Sequence, residues 1–130
     1  NGDIDSPEKA KRVLDYTQAQ AIMVGRAAQG NPWLINQIDY FLRTGTMLDS
    51  PVLTDQFNLI LHHIKGVHTH YGEYLGVRIA RKHIAWYLQH QFSQFKTAGK
   101  TINKIDNTEQ QLIALQALFD QIRISGDRAA

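Results

Sequence analysis

The spacing of apolar residues along most of the chain restricts the fold more than any other feature. After residue 30, apolar side chains recur every three to four positions, as in Phe57, Ile60 and Ile64, and this period places them on one face of a helix. Residues 21–24 differ, because they form a short unbroken apolar run that ends at Gly25. Such a run is typical of a strand buried on both faces of a parallel sheet. The sequence therefore predicts an α/β segment followed by an all-helical domain.

Capping residues locate the predicted helices. Ser6 followed by Pro7 favours a helix start, and Gly45 is a good helix stop. The further predicted N-caps are Asn31, Thr54 and Thr108, the last as a capping box with Gln111. Two more helices are expected at about residues 73–91 and 95–105, and residues 125–130 are expected to be a frayed tail.

The composition excludes several classes of protein. With 43% apolar and 20% charged residues, the chain is not expected to be disordered, and no apolar stretch approaches the roughly 20 residues that span a membrane. The absence of cysteine rules out disulfides, zinc-thiolate sites and thiol nucleophiles, and fits a cytoplasmic protein. No two of four closely placed histidines have the i, i+3 or i, i+4 spacing of a helical metal site, so no metal is predicted. These histidines are His62, His63, His68 and His70.

Positive charge is concentrated in residues 74–105, which we call the basic segment. The whole chain has a formal charge of only +2, but this segment contains six basic residues and no acidic one. They are Arg78, Arg81, Lys82, Lys96, Lys100 and Lys104. Such a concentration favours a phosphate-bearing partner, and the alternative is an ordinary solvated helix face.

The helix predicted at residues 73–91 divides into distinct faces. One arc is apolar and consists of Val77, Ala80, Ile84, Tyr87 and Leu88, and the cations at positions 78, 81 and 82 lie opposite. A stripe of Ile79, His83, Trp86 and His90 runs between them. Cations beside aromatic rings can bind a nucleic-acid backbone and stack on a base, although we favour a packing role for Trp86.

A second candidate site combines the start of the chain with the end of the predicted strand. Asn1, Gly2 and Asp3, and then Gly25 and Arg26, lie where the last two strands of a (β/α)₈ barrel would end. Loops at these positions often bind phosphate, glycine permits close backbone approach, and arginine offers a bidentate contact. Because the chain opens on a turn-forming triplet without methionine, we expect it to be a fragment.

Three motifs resemble one protein family. Asn1-Gly2-Asp3-Ile4, then Gly25-Arg-Ala-Ala-Gln-Gly-Asn-Pro-Trp33, and then Arg78-Ile-Ala-Arg-Lys-His83 with Trp86-Tyr87 are similar to the bacterial tRNA-dihydrouridine synthases, most closely the B-type subfamily. The resemblance runs in order over nearly the whole chain. It implies a mainly α chain: residues 1–30 as the end of an FMN-binding TIM barrel, with its last helix and strand, and residues 31–124 as a C-terminal helical-bundle domain that binds tRNA.

The resemblance also implies an activity and its partners. Family members use NADPH to reduce FMN, which then reduces the C5=C6 bond of a tRNA uridine in the D-loop, while a cysteine acid supplies a proton. Asn1, Gly2, Asp3, Gly25 and Arg26 would hold the flavin phosphate and ribityl tail, and the basic segment would hold tRNA. Because that cysteine is absent here, we expect the proton donor to lie upstream of this chain. We also expect the isolated chain to be a monomer that is inactive and binds FMN poorly.

Two other interpretations remain at this point. One is a stand-alone helical RNA-binding module without catalytic activity, for which residues 1–30 would be superfluous. The other is a different FMN or phosphate barrel with an unrelated helical tail, because fold does not fix function.

Overall fold

The computed structural model describes the backbone of residues 3–129 and the side chains of residues 3–126. Within these limits the chain is mainly helical and divides into two compact units, residues 1–51 and 52–130. The predicted boundary between barrel end and helical domain followed residue 30, whereas the compact units separate after Pro51.

The first unit is built from two helices packed on each other. Helix α1 spans Pro7–Thr17, and the Ser6 side chain accepts a hydrogen bond from the Lys9 backbone N–H at 3.2 Å, as its capping sequence predicts. Helix α2 spans Leu34–Thr44 and ends at Gly45, whose positive φ of 71° suits glycine. Their small core consists of Ile4, Ala10, Leu34 and Ile38.

The start of α2 differs from the prediction that Asn31 caps it. The helix begins at Leu34 after a turn and has no side-chain cap, and the Asn31 side-chain oxygen is buried without a hydrogen-bond partner. Asn31 contributes its backbone carbonyl instead, which accepts a bond from the Leu34 N–H at 3.2 Å.

Residues 21–25 do not form the predicted strand. They have no regular secondary structure, and no strand occurs among residues 3–129. A strand needs a neighbour to receive its backbone hydrogen bonds, and these residues have none here. Ile22 and Val24 pack against the small core, while Met23 is 67% exposed, so burial on both faces is also wrong for this chain.

The second unit begins with a helical hairpin. Helix α3 spans Leu53–Gln91, but Gly72 interrupts it with φ 76° and ψ −179°, angles that an L side chain rarely adopts. The two halves, residues 53–71 and 73–91, then run back along each other. At Gly76 the halves are so close that a Cβ atom would lie 2.9 Å from the Cα of His68.

Two further helices complete this unit. Helix α4 spans Lys96–Ile102 and α5 spans Thr108–Ala129. Helix α5 therefore includes most of the segment predicted to be a frayed tail. The core contains the predicted apolar arc of α3, together with Phe57, Leu115 and Phe119; the rings of Phe57 and Phe119 stack with centroids 4.2 Å apart.

Both predicted caps in this unit are wrong. Helix α3 begins one residue before Thr54 and has no side-chain cap. At α5, the side chain of Asn107 accepts the Gln110 N–H at 2.9 Å, and Thr108 instead donates through its N–H and hydroxyl to Glu73.

Gln111, the expected second member of the capping box, is buried and joins two distant parts of the fold. Its side-chain oxygen lies 2.6 Å from Nε2 of His68, and its amide donates to the carbonyl of Val77 at 3.3 Å. Because the amide group is the donor toward Val77, the His68 Nε2 must carry the proton in this contact. Two hydrogen bonds made by a buried amide contribute more to the stability of the fold here than one solvent-exposed helix cap would.

Candidate nucleic-acid interface and phosphate-binding turn

The basic segment covers the second half of α3, all of α4 and the turn that follows. Five of its six cationic side chains are exposed: Arg78, Lys82, Lys96, Lys100 and Lys104. The structure therefore presents most of the predicted RNA-binding residues to solvent on one unit.

Helix α4 exposes its lysines because its other face is fixed by packing. Gly99 is buried against α3, where a Cβ would come within 2.7 Å of a Leu88 methyl carbon, and Ile102 enters the core. Lys96 and Lys100 are four residues apart and so share the opposite face. Gly99 thus permits the close approach of α4 to α3.

Arg81 differs from the other five cations. Its side chain is partly buried and donates to the backbone carbonyl of Ile105 at 2.9 Å and to the carboxylate of Asp106. It thereby fastens the turn after α4, next to Lys104, to α3. Arg81 therefore positions the exposed part of the basic segment, because its guanidinium is already bonded to Ile105 and Asp106.

Arg78 is held by an aromatic neighbour one turn earlier. Its guanidinium carbon lies 4.5 Å from the ring centroid of Tyr74, and Nη1 donates to the Tyr74 hydroxyl at 2.6 Å. No role was predicted for Tyr74 from the sequence, although the i, i+4 spacing of tyrosine and arginine was visible.

The stripe beside these cations forms a cluster with the first half of α3. Nδ1 of His63 lies 2.9 Å from the hydroxyl of Tyr87, and the rings of His63 and His83 meet edge to face with centroids 4.7 Å apart. His83 in turn contacts Trp86, which is half-buried, as its expected packing role requires.

Burial sets the ionisation of this cluster. Desolvation lowers the pKa of His63 and of His83; electrostatic repulsion lowers the pKa of His63 further through His62, and that of His83 through His63 and then Lys82. Desolvation also raises the pKa of the Tyr87 hydroxyl to about 12. The cluster is therefore neutral near pH 7 and adds no positive charge to the basic segment.

The predicted phosphate-binding turn of the first unit (Asn1, Gly2, Asp3, Gly25 and Arg26) is only partly within the described residues. Asn1 and Gly2 lie outside them, whereas Asp3 and Arg26 come together as an exposed ion pair, with Nε of Arg26 donating to Asp3 at 3.1 Å. This pairing lowers the pKa of the Asp3 carboxyl, first through the hydrogen bond and then through the guanidinium charge. Gly25 precedes a 3₁₀ turn, Arg26–Ala28, and is exposed.

Two other kinds of site are absent from the described residues. No group of three or more His, Cys, Asp or Glu side chains there could hold a metal ion. No helix in the same part of the chain is long and apolar enough to cross a membrane.

Comparison with known proteins decides the family. The family model for dihydrouridine synthase matches residues 1–123. The chain belongs to the dihydrouridine synthase family. The resemblance carried by the three sequence motifs is thus confirmed.

Curated relatives agree with this assignment. The chain is 48% identical over 122 residues to tRNA-dihydrouridine synthase B of Vibrio cholerae, covering 94% of this chain and 38% of that protein. It is 46% identical over 124 residues to the protein of the same name from Pectobacterium carotovorum, covering 94% and 38%. For Serratia marcescens the identity is 45% over 126 residues, covering 95% and 37%. The chain thus spans less than two fifths of the length of these relatives.

Proposed function

We propose that this chain is the tRNA-holding part of a B-type tRNA-dihydrouridine synthase, an oxidoreductase that reduces the C5=C6 bond of D-loop uridines with FMN and NADPH. The observation that carries the proposal is the exposure of lysines and an arginine on α3 and α4, within a segment that has no acidic residue, in a chain of this family. Phosphate contacts of this kind supply most of the sequence-independent affinity for nucleic acid. A tRNA substrate implies action in the cytoplasm.

The first unit fits a role at the flavin tail. When bound, FMN supplies the hydride chemistry. Arg26 has an exposed guanidinium suited to the phosphate, the Asp3 carboxylate can accept hydrogen bonds from ribityl hydroxyls, and a Cβ on Gly25 would meet only the Met23 sulfur, at 3.9 Å. By the family motif Asn1 and Gly2 would join them. A phosphate must compete with Asp3 for Arg26, so these residues alone make a weak site.

The chain carries no residue that we propose as catalytic. It has no cysteine, so the proton donor of the reaction would come from a longer protein, and we propose that the isolated chain is inactive. Recovery of stoichiometric flavin on the isolated chain would contradict our expectation of poor FMN binding.

The salt dependence of tRNA binding tests the proposal. For the unaltered chain, log affinity should fall linearly with log salt. Changing Lys96, Lys100 and Lys104 together to Gln should reduce the slope by about 0.7–0.9 for each phosphate that is no longer neutralised. The measurement is fluorescence anisotropy of a labelled tRNA transcript between low and moderate salt.

A matched control uses exposed cations of the first unit. Changing Lys11 and Arg12 of α1 and Arg43 of α2 to Gln also removes three exposed positive charges and should leave the slope nearly unchanged. If both variants alter the slope equally, the binding is a general effect of net charge and the basic segment is a solvated face. A stand-alone RNA-binding module would share this surface but would leave residues 1–30 without a function, and the match of the family model to these residues favours the synthase instead.

A further inference from the structure

Tyr74 is a large aromatic side chain that the fold leaves in solvent. The residue is 68% exposed, whereas Tyr87 on the same half of α3 is 3% exposed and Trp86 is half-buried against His83. An aromatic ring in the core stabilises a fold through burial, and Tyr74 is too exposed to do so. Its ring is available for an intermolecular contact.

The ring is held in place from one side. The guanidinium of Arg78 lies 4.5 Å from the ring centroid and also donates to the hydroxyl at 2.6 Å. With so much of the residue exposed, the opposite face of the ring is open. Because the side chain is already ordered by Arg78, a partner that stacks on the open face loses less conformational entropy on binding.

The surroundings of this ring are cationic. Arg78 and Lys82 follow Tyr74 at intervals of four residues, so they lie about 6 and 12 Å further along the helix. The neighbouring carboxylates are engaged, that of Glu73 by Thr108 and that of Asp106 by Arg81. An open aromatic face beside two exposed cations matches the general design of single-strand binding surfaces.

We propose that Tyr74 and Arg78 form a stacking platform for one unpaired base of an RNA, with the adjoining phosphates held by Arg78 and Lys82. The inference rests on the proposed function and adds the aromatic residue on which a base stacks. The sequence analysis favoured a packing role for Trp86, the other aromatic candidate on this helix half, and that ring is half-buried. Stacking is tolerant of base identity because every base has a flat face, so the platform selects unpaired nucleotides over paired ones.

The decisive experiment compares two substitutions on two RNAs. Tyr74→Leu removes the aromatic face, and Tyr74→Phe keeps it without the hydroxyl. Each variant of the 130-residue chain is titrated against a tRNA transcript and against a blunt RNA duplex that has no unpaired base. We expect Tyr74→Leu to weaken tRNA binding by about 5- to 30-fold with an unchanged salt slope. The tRNA affinity of Tyr74→Phe should stay within about two-fold of that of the unaltered chain, because the stacking surface remains. Duplex binding should be the same for all three.

Controls separate the platform from other effects. Tyr16→Leu removes a tyrosine of the first unit that is 91% exposed and should not change tRNA binding, and thermal unfolding by circular dichroism checks that each variant is folded. If Tyr74→Leu weakens tRNA and duplex binding equally, Tyr74 acts only by positioning Arg78 and the platform is overturned. Equal tRNA affinity of Tyr74→Leu and the unaltered chain also overturns it, while leaving the proposed function intact. If the unaltered chain shows no salt-dependent tRNA binding, both proposals fail.

Discussion

The two compact units differ in the size of their apolar cores. In the second unit, three aromatic rings (Phe57, Phe92 and Phe119) and residues of all three helices share one core. In the described part of the first unit the core consists of four buried residues, Ile4, Ala10, Leu34 and Ile38. Small domains bury too little surface to be stable unless their cores are well filled. The second unit therefore has what an independent helical domain needs, and the first unit does not.

The exposure of Met23 in the first unit has a local explanation. Ile22 and Val24 pack against the small core of the first unit, while Met23 between them is 67% exposed. A strand at this position would need neighbouring strands to satisfy its backbone and cover Met23. The barrel expected from the sequence would supply them, and that expectation stays a prediction.

The largest expected effect comes from separating the units. Residues 52–130 expressed alone should keep their helical circular dichroism and unfold cooperatively in urea. Residues 1–51 alone should unfold without a cooperative transition, because their core is too small to offset the conformational entropy lost on folding. If residues 1–51 alone unfold cooperatively at a urea midpoint like that of the whole chain, the claim that the first unit is too small to be stable alone is wrong.

A smaller effect is expected from the tight approach within the second unit. Gly76→Ala would force a Cβ to within 2.9 Å of the His68 backbone, and we expect the free energy of unfolding to fall by about 1–3 kcal/mol. Gly66→Ala lies in the same helix with nothing within 4 Å of the added Cβ, so it should raise stability by roughly 0.5–1 kcal/mol. Urea denaturation measures both. Similar values for the two variants would show that the halves of α3 pack less closely than the structure indicates.

The smallest expected effect is a pH dependence confined to the second unit. The pKa of His63 and of His83 is lowered from 6.5 in the folded state, so the unfolded chain takes up protons first as the pH falls. Stability should therefore be full above about pH 6.5 and decline as the pH decreases through the lowered values.

Urea midpoints between pH 5 and 7.5 measure this dependence. His83→Gln should flatten the decline, whereas His90→Gln, at an exposed position of the same helix, should retain it. If both substitutions flatten the decline equally, the half-buried cluster of His63 and His83 is not its cause.

Several features followed from the sequence alone. The apolar arc of α3, the cap at Ser6 and the stop at Gly45 were predicted correctly. Each depends on residues within a few positions of one another, where helical geometry is fixed by spacing. The family assignment also followed from short motifs, and the exposure of five of the six basic side chains agrees with an acid-free segment on helices.

The remaining features depend on residues far apart in the chain. Gln111 had the right spacing for a capping box, but His68, 43 residues earlier, holds it in the interior. Arg81 looked like Arg78 by sequence, yet Asp106 engages it from across the fold. Helical periodicity places a side chain on a face, whereas its partner is set by which elements pack together. Only the tertiary structure could therefore separate the engaged arginine from the exposed one and bring Tyr74 to the surface beside it.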